Sequence, residues 1–251
     1  MSVNPATVRR PRRSLRSRGV RVLVRLRRGV RRRGLPGLLS LAASELVNYA
    51  FDLRYGVETR LGVDCGDLTG TVGDVSHAKP YRATQTLHLY RLFRQLGLGA
   101  GRGLVDMGSG KGRVLLIAAL VGFRVARGVE FSSALCAVAR RNVEQFRQRS
   151  RTATEFEIIH ADAGEYVIRE DEDVFYFGNP FDEHVLRKVM ANISASYAAR
   201  PRHMTLIYFN LRRRAHWVTK DTPFNRLPTR VIAGREFAIF EAVPESRGSR
   251  A

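Results

Sequence analysis

The residues Val105-Asp106-Met107-Gly108-Ser109-Gly110-Lys111-Gly112-Arg113 place three glycines at every second position, directly after an apolar run. Glycine lets a backbone approach a ligand with no side chain in between, and it adopts positive φ in tight turns. The apolar stretch 113–121 reads as a helix, so the loop ends on a helix N-terminus with free N–H donors. Glu130 follows Gly112 by 18 residues and closes a second apolar run; an acid in that place accepts the ribose hydroxyls of a nucleoside. Two phosphate-binding alternatives fail on spacing. A dinucleotide site has Gly-x-Gly-x-x-Gly, and a P-loop needs Gly-Lys-Ser/Thr, whereas Lys111 precedes the third glycine here. Asp106 aims an anion at the ligand, which repels pyrophosphate and suits the cationic amino group of S-adenosylmethionine. A plain strand–helix turn is the alternative for the glycines alone.

Positioning such a loop takes strands alternating with helices. Short buried strands are expected at 103–107, 123–130, 156–160, 174–177 and 204–209. Helices are expected between them, one capped by Ser132 or Ser133 and one with Val185, Val189, Ile193 and Tyr197 inward. Residues 230–233 and 236–240 flank Gly234-Arg235, a Gly-X pair suited to a two-residue hairpin turn. Upstream, 38–53 has helical spacing. Thr84 or Thr86 is expected to cap a helix carrying Leu89, Leu92, Phe93 and Leu96, which ends in the glycines after Leu96. The polar stretch 55–75 has no evident assignment. The fold class is therefore α/β: a doubly wound, mostly parallel, seven-stranded sheet with an antiparallel C-terminal hairpin and an N-terminal helical cap.

The 251 residues carry 43 Lys and Arg against 23 Asp and Glu, a formal net charge of +20. Thirteen arginines and no acid fall within residues 1–34, leaving the rest at +7. Only four of the 43 basic residues are lysine, as a GC-rich bacterial genome would give. Leu15, Val22, Leu26 and Val30 lie near one helical face, so this tail is either a basic amphipathic helix, suited to anionic membrane or nucleic acid, or an unstructured extension. Two cysteines exclude a disulfide framework and fit a reducing cytosol. No apolar run approaches the ~18–20 residues needed to cross a bilayer. The histidines show no metal-ligand spacing, so no metal is expected.

Asp106-x-Gly-Ser-Gly-x-Gly, Glu130 and the closing hairpin resemble the class I S-adenosylmethionine-dependent methyltransferases over about residues 81–243. Val-Asp-x-Gly-Ser-Gly-Lys-Gly-Arg with Gly-Val-Glu-Phe-Ser, and Phe51-Asp52-Leu53-Arg54-Tyr55-Gly56-Val57, look like the branch of the non-SET histone-lysine methyltransferases and their bacterial relatives. The resemblance implies S-adenosylmethionine as cofactor, held by Asp106, Gly108, Ser109, Gly110, Gly112 and Glu130. It further implies that Asp162 meets the adenine amino group and Ala163 the adenine ring through its backbone. Phe131 would lie on an adenine face, and Tyr81 would close over the methionine moiety. The alternatives are a helix cap for Asp162, burial beneath the sheet for Phe131 and surface packing for Tyr81. Asn179-Pro180-Phe181 is similar to the Asx-Pro-Pro-aromatic turn of amino-methylating members, one proline short. It makes Asn179, Pro180 and Phe181 the acceptor-side candidates, with Pro180 expected to hold Asn179 extended and a helix cap as the alternative for Asn179. Arg212-Arg213-Arg214 with Trp217 could line the acceptor cleft or form a solvated loop.

The expected organisation is a basic extension (1–34), a helical cap (35–101) and a cofactor-binding catalytic domain (102–251). The expected activity is N-methylation of an amine acceptor, a lysine-like protein group first and RNA second, in the cytoplasm or at a membrane surface reached through the tail. The alternative class is a non-catalytic nucleic-acid- or membrane-associated protein that retains the nucleotide fold.

Overall fold

The computed structural model describes residues 42–64, 68–73, 81–211 and 215–244. The basic extension and Arg212-Arg213-Arg214 lie outside them. The described residues from Ser44 onward form one compact unit.

Helix α1 ends at residue 55. It is followed by α2 (Thr86–Gln95), β1 (Gly103–Met107), α3 (Arg113–Leu120), β2 (Val125–Glu130), α4 (Ser133–Arg149), β3 (Glu155–His160), β4 (Val174–Phe177), α5 (Glu183–Ala199), β5 (Met204–Phe209), α6 (Ala215–Thr219), β6 (Asn225–Arg226), β7 (Arg230–Ile232) and β8 (Arg235–Ala242). The sheet order is β3-β2-β1-β4-β5-β8-β6, with β7 also on β8. Strands β1 to β5 are parallel, and β8 runs antiparallel to β5, β6 and β7. The sheet has seven positions and eight strands. Pro228 supplies no N–H to a ladder, so the edge position is divided between β6 and β7.

Alternation along the strands builds two cores. In β4, Val174 and Tyr176 face one side while Phe175 and Phe177 face the other. The first core takes Leu104, Leu115, Leu89, Phe93 and Phe51, and so unites α1, α2 and α3. The second takes Val105, Leu186, Val189 and Ile193, the inner face of α5. Strand β1 is buried along its whole length between β2 and β4, as a continuous apolar run in a parallel sheet should be.

Two local expectations are corrected. Helix α2 is capped by neither Thr84 nor Thr86: Gln85 holds the N-cap position without a side-chain bond, and Asn48 Oδ1 of α1 accepts from the Thr86 N–H at 3.0 Å. Its other end follows expectation, with Gly97 at φ 63° and the Leu98 N–H reaching back to the Phe93 carbonyl at 3.0 Å. The closing hairpin turns one residue earlier than expected. Ile232 pairs with Arg235, so Ala233 and Gly234 make the turn, at φ 46° and 74°. A twist-matched two-residue turn takes positive φ at both positions, and Ala233 bears a Cβ penalty there. Ala233→Gly should therefore raise stability by about 0.5–1 kcal/mol in denaturant titration; an unchanged or lower midpoint would show that the turn is unstrained.

Candidate functional site

The carboxyl ends of β1 to β5 open onto a cavity of about 430 Å³. Its wall includes Tyr81, Asp106, Gly108, Ser109, Glu130, Phe131, Asp162, Ala163, Asn179, Pro180 and Phe181. Eleven of the thirteen residues expected at the site thus line one space. Gly110 and Gly112 stand behind it and shape the loop.

Gly108 and Gly110 have positive φ and no room for a side chain. A Cβ on Gly108 would lie 2.3 Å from Pro180 Cβ, and one on Gly110 would lie 2.2 Å from the Tyr81 ring. The loop is thereby pressed between the acceptor-side turn and Tyr81. Gly112, at φ 82°, is the N-cap of α3 and supports the helix end. The Gly108 and Ser109 amides donate to the Val129 carbonyl, at 2.9 and 3.1 Å, which fastens β1 to β2 at the site.

Two acids face the cavity from below. Glu130 is buried; its Oε2 accepts from the Gly110 N–H at 2.8 Å and its Oε1 from the Ser132 N–H at 3.0 Å. Each oxygen keeps a second lone pair for a ligand hydroxyl. Burial raises its pKa, opposed by those backbone donors. Asp106 is only 2% exposed, and burial followed by the charge of Glu130 pushes its pKa well above the usual carboxylate range. Two buried like charges side by side favour a cationic ligand. The buried Ser109 Oγ, without a hydrogen-bond partner among the described residues, lines the same wall.

Asp162 both lines the cavity and caps a short 3-10 turn, its Oδ1 accepting from the Gly164 N–H at 2.8 Å. Tyr81 bridges Val63 and donates its hydroxyl to the Thr59 carbonyl at 2.8 Å, so its ring is fixed over the loop. Phe181 is buried edge-on to Phe177, with centroids 6.1 Å apart. Asn179 corrects an expectation: at φ 64° it is left-handed rather than extended. A short polar side chain tolerates this region better than most, and strain of this kind gathers at binding sites. Nor does Asn179 cap α5. Asp182 does, its Oδ1 accepting from His184 N at 2.9 Å and Val185 N at 3.3 Å.

Sequence reasoning missed the knot beneath the loop. Arg113, 2% exposed, donates Nε to Thr59 Oγ1 at 2.6 Å, Nη1 to the Thr84 carbonyl at 3.2 Å and Nη2 to Asp52 Oδ1 at 3.2 Å. Asp52 also accepts from Thr59 Oγ1, Thr59 N and Arg60 N. Lys111 pairs with Glu58 at 2.6 Å, and Asn142 joins the Lys111 and Glu58 backbones. The polar stretch after residue 55 is therefore bound to the glycine loop, and Leu68 and Val72 from it line the cavity. Also missed were Thr84, Gln85 and His88 from the start of α2, and Arg235 and Phe237 from β8. Trp217 instead packs beneath the Arg187 guanidinium, 3.4 Å from the ring centroid. Among the described residues no cluster of His, Cys, Asp or Glu is arranged for a metal, and no helix is long and apolar enough to cross a membrane.

Residues 77–168 match the sequence family described as histone methylation protein DOT1. A search of curated proteins gives no match. Several solved structures resemble the chain. A protein of Pyrococcus horikoshii provisionally described as an RNA methyltransferase is 21% identical, with TM-score 0.49, over 73% of this chain and 94% of its own. An RNA methyltransferase from Salinibacter ruber, in complex with S-adenosyl-L-homocysteine, is 17% identical, with TM-score 0.49, over 66% and 96%. Magnesium protoporphyrin IX methyltransferase from Synechocystis PCC 6803, with bound S-adenosylmethionine, is 17% identical, with TM-score 0.45, over 64% and 78%. The sheet order, the Asp106 glycine loop and the family match place the chain in the class I S-adenosylmethionine-dependent methyltransferase superfamily. The residues present fit that cofactor: a cradle closed to any Cβ, an unpartnered buried serine hydroxyl and paired acids for a cation.

Proposed function

We propose that this chain is a methyltransferase that uses S-adenosylmethionine to methylate a nitrogen held at the Asn179–Phe181 turn. The observation that carries the reading is the buried Asp106 carboxylate, facing a cavity that also reaches that turn. The cofactor supplies an activated methyl group on a cationic sulfur, whose positive charge disappears on transfer. Asp106 would bind the ammonium of its amino-acid portion and Glu130 its ribose hydroxyls, with Asp162 and the Ala163 backbone at the adenine and Phe131 beside it. Tyr81 would close the loop side against water. The remaining work is alignment, because displacement at carbon needs an in-line approach. Asn179 can accept a hydrogen bond from the incoming nitrogen but is no strong base, so the nitrogen must arrive unprotonated.

The DOT1 match ends at residue 168, before Asn179 and the β5–β8 half of the sheet. It supports the cofactor side and leaves a lysine-like protein acceptor resting on resemblance alone. RNA is the second reading: the turn lacks the second proline of the base-methylating pattern and counts against it, whereas the 13 arginines of residues 1–34 would add salt-sensitive attraction to polyanions, an anionic membrane included. Transfer of labelled methyl from S-adenosylmethionine into fractionated cell extract tests the activity. Binding of NADH with no binding of S-adenosylmethionine in calorimetry would refute it.

Asn179→Gly probes the turn without backbone strain, since glycine adopts positive φ freely. Turnover on the acceptor fraction is expected to fall by one to two orders of magnitude, about 1.4–2.7 kcal/mol in the barrier, with cofactor affinity unchanged. Because Asp182 holds the cap of α5, the melting temperature should stay near that of the wild type. Normal turnover would remove Asn179 from the site.

A further inference from the structure

The cavity is charged unevenly along the sheet edge. Its three acids, Asp106, Glu130 and Asp162, stand at the ends of β1, β2 and β3. Among the described residues no acid lines the opposite end, where the start of α2 and the start of β8 bring Gln85, His88 and Arg235 to the wall beside Phe209 and Phe237. Strands β1 and β8 are three positions apart, so Asp106 and Arg235 are separated by about 14 Å across the sheet.

That end carries positive charge with no acid beside it among the described residues. Among the described residues the Arg235 side chain has no hydrogen-bonding or ion-pair partner, unlike those of Arg113 and Arg82, the other arginines of the wall, which pair with Asp52 and Asp64. His88 is 3% exposed, and its Nδ1 is buried with no partner. Burial, then the charges of Arg235 and Arg91, lowers its pKa, so it remains a neutral ring able to donate one N–H. Helix α2 begins at the same place, with no acid in its first turn and no side-chain cap from Gln85, although Asn48 already takes the Thr86 N–H. Helix N-termini attract anions.

We propose that the methyl acceptor carries an anionic group, a carboxylate or a phosphate, taken up by this wall, and that Arg235 selects for it. The proposal rests on the methyltransferase reading and narrows its acceptor. A guanidinium fork matches either oxyanion with two parallel hydrogen bonds, and a neutral His88 adds a donor. The group would sit at the β8 end while the nitrogen reaches Asn179, two strand positions nearer the cofactor. A lone protonated amine would meet an uncompensated cation at that end, so a lysine side chain without an acidic neighbour fits poorly.

The full chain saturated with S-adenosylhomocysteine, titrated separately with inorganic phosphate and with acetate, tests this by NMR of the His88 ring. The expected result is saturable binding of at least one anion, with a rise in the His88 pKa as the charge of Arg235 is neutralised. Arg235→Gln should weaken that binding roughly tenfold or more, and Arg235→Lys should restore part of it. A response to acetate alone identifies a carboxylate, and a response to phosphate alone a phosphate. If neither anion perturbs His88, or if Arg235→Gln binds them as the wild type does, the proposal is wrong. Affinity for S-adenosylhomocysteine, measured on the same proteins, separates the two readings. Its absence refutes the methyltransferase itself, whereas its presence without an anion response refutes only the acceptor chemistry.

Discussion

Arg113→Met is expected to destabilise the protein by about 3 kcal/mol and to weaken cofactor binding with it. Methionine fills much of the same volume, so the loss is chiefly electrostatic. Three acceptors on three different segments, Asp52, Thr59 and Thr84, lose a donor at once. Asp52 keeps the Thr59 and Arg60 donors and some solvent, which holds the cost to the lower part of the range for a broken buried pair. Lysine should not rescue, because a single ammonium cannot reach acceptors spread around a planar fork. Asp52→Asn combined with Arg113→Met should cost less than the sum of the single changes, since no uncompensated charge then remains. Cofactor affinity falls as well because the Thr84 bond fixes the segment that holds Tyr81 over Gly110. Urea titration and calorimetry check both halves; a loss below about 1 kcal/mol would make the guanidinium a bystander.

The contrast between the glycine loop and this knot shows what a sequence displays. The loop is local: three glycines, a buried strand before them and a helix after them lie within the eighteen residues 103–120, and each requirement is visible in residue type. Strands β1, β4 and β5 fall on the expected residues for the same reason, as continuous apolar runs in a doubly covered sheet. The Arg113 knot joins residues 52, 59, 84 and 113, and no period or motif announces that Asp52 and Thr59 turn toward a helix residue 61 and 54 positions later. Asn48 as the capping partner of Thr86 is hidden in the same way. Asn179 was misjudged because a following proline disfavours only the right-handed region, and the turn against Gly108 supplied a stronger demand. The acceptor end was illegible because Gln85, His88 and Arg235 come from a helix start and a hairpin that meet only in the folded sheet.

Asp106→Asn is expected to raise the stability of the cofactor-free protein while weakening S-adenosylmethionine binding by about 1.5–3 kcal/mol, roughly 10- to 150-fold. The opposite signs follow from one feature, the raised pKa of Asp106 through burial and the neighbouring Glu130. Below about pH 4 the acid is neutral in both folded and unfolded chains and costs nothing. As the pH rises the unfolded chain ionises first, so stability falls by about 1.4 kcal/mol per pH unit until the folded acid also ionises, and is then level. Asparagine has no such penalty. The advantage of the variant should therefore be absent in acid, grow with pH and level off above the raised pKa in paired melting curves. A bound ammonium reverses the balance, because it pairs with the carboxylate and draws its pKa back down. Wild-type affinity should accordingly weaken as the pH falls through the raised value, and that of the variant should not. Methylthioadenosine, which lacks the amino-acid portion, supplies the control: its affinity should barely distinguish the two proteins. If Asp106→Asn weakened methylthioadenosine as much as S-adenosylmethionine, the carboxylate would be shaping the loop rather than binding the ammonium, and this assignment would fall.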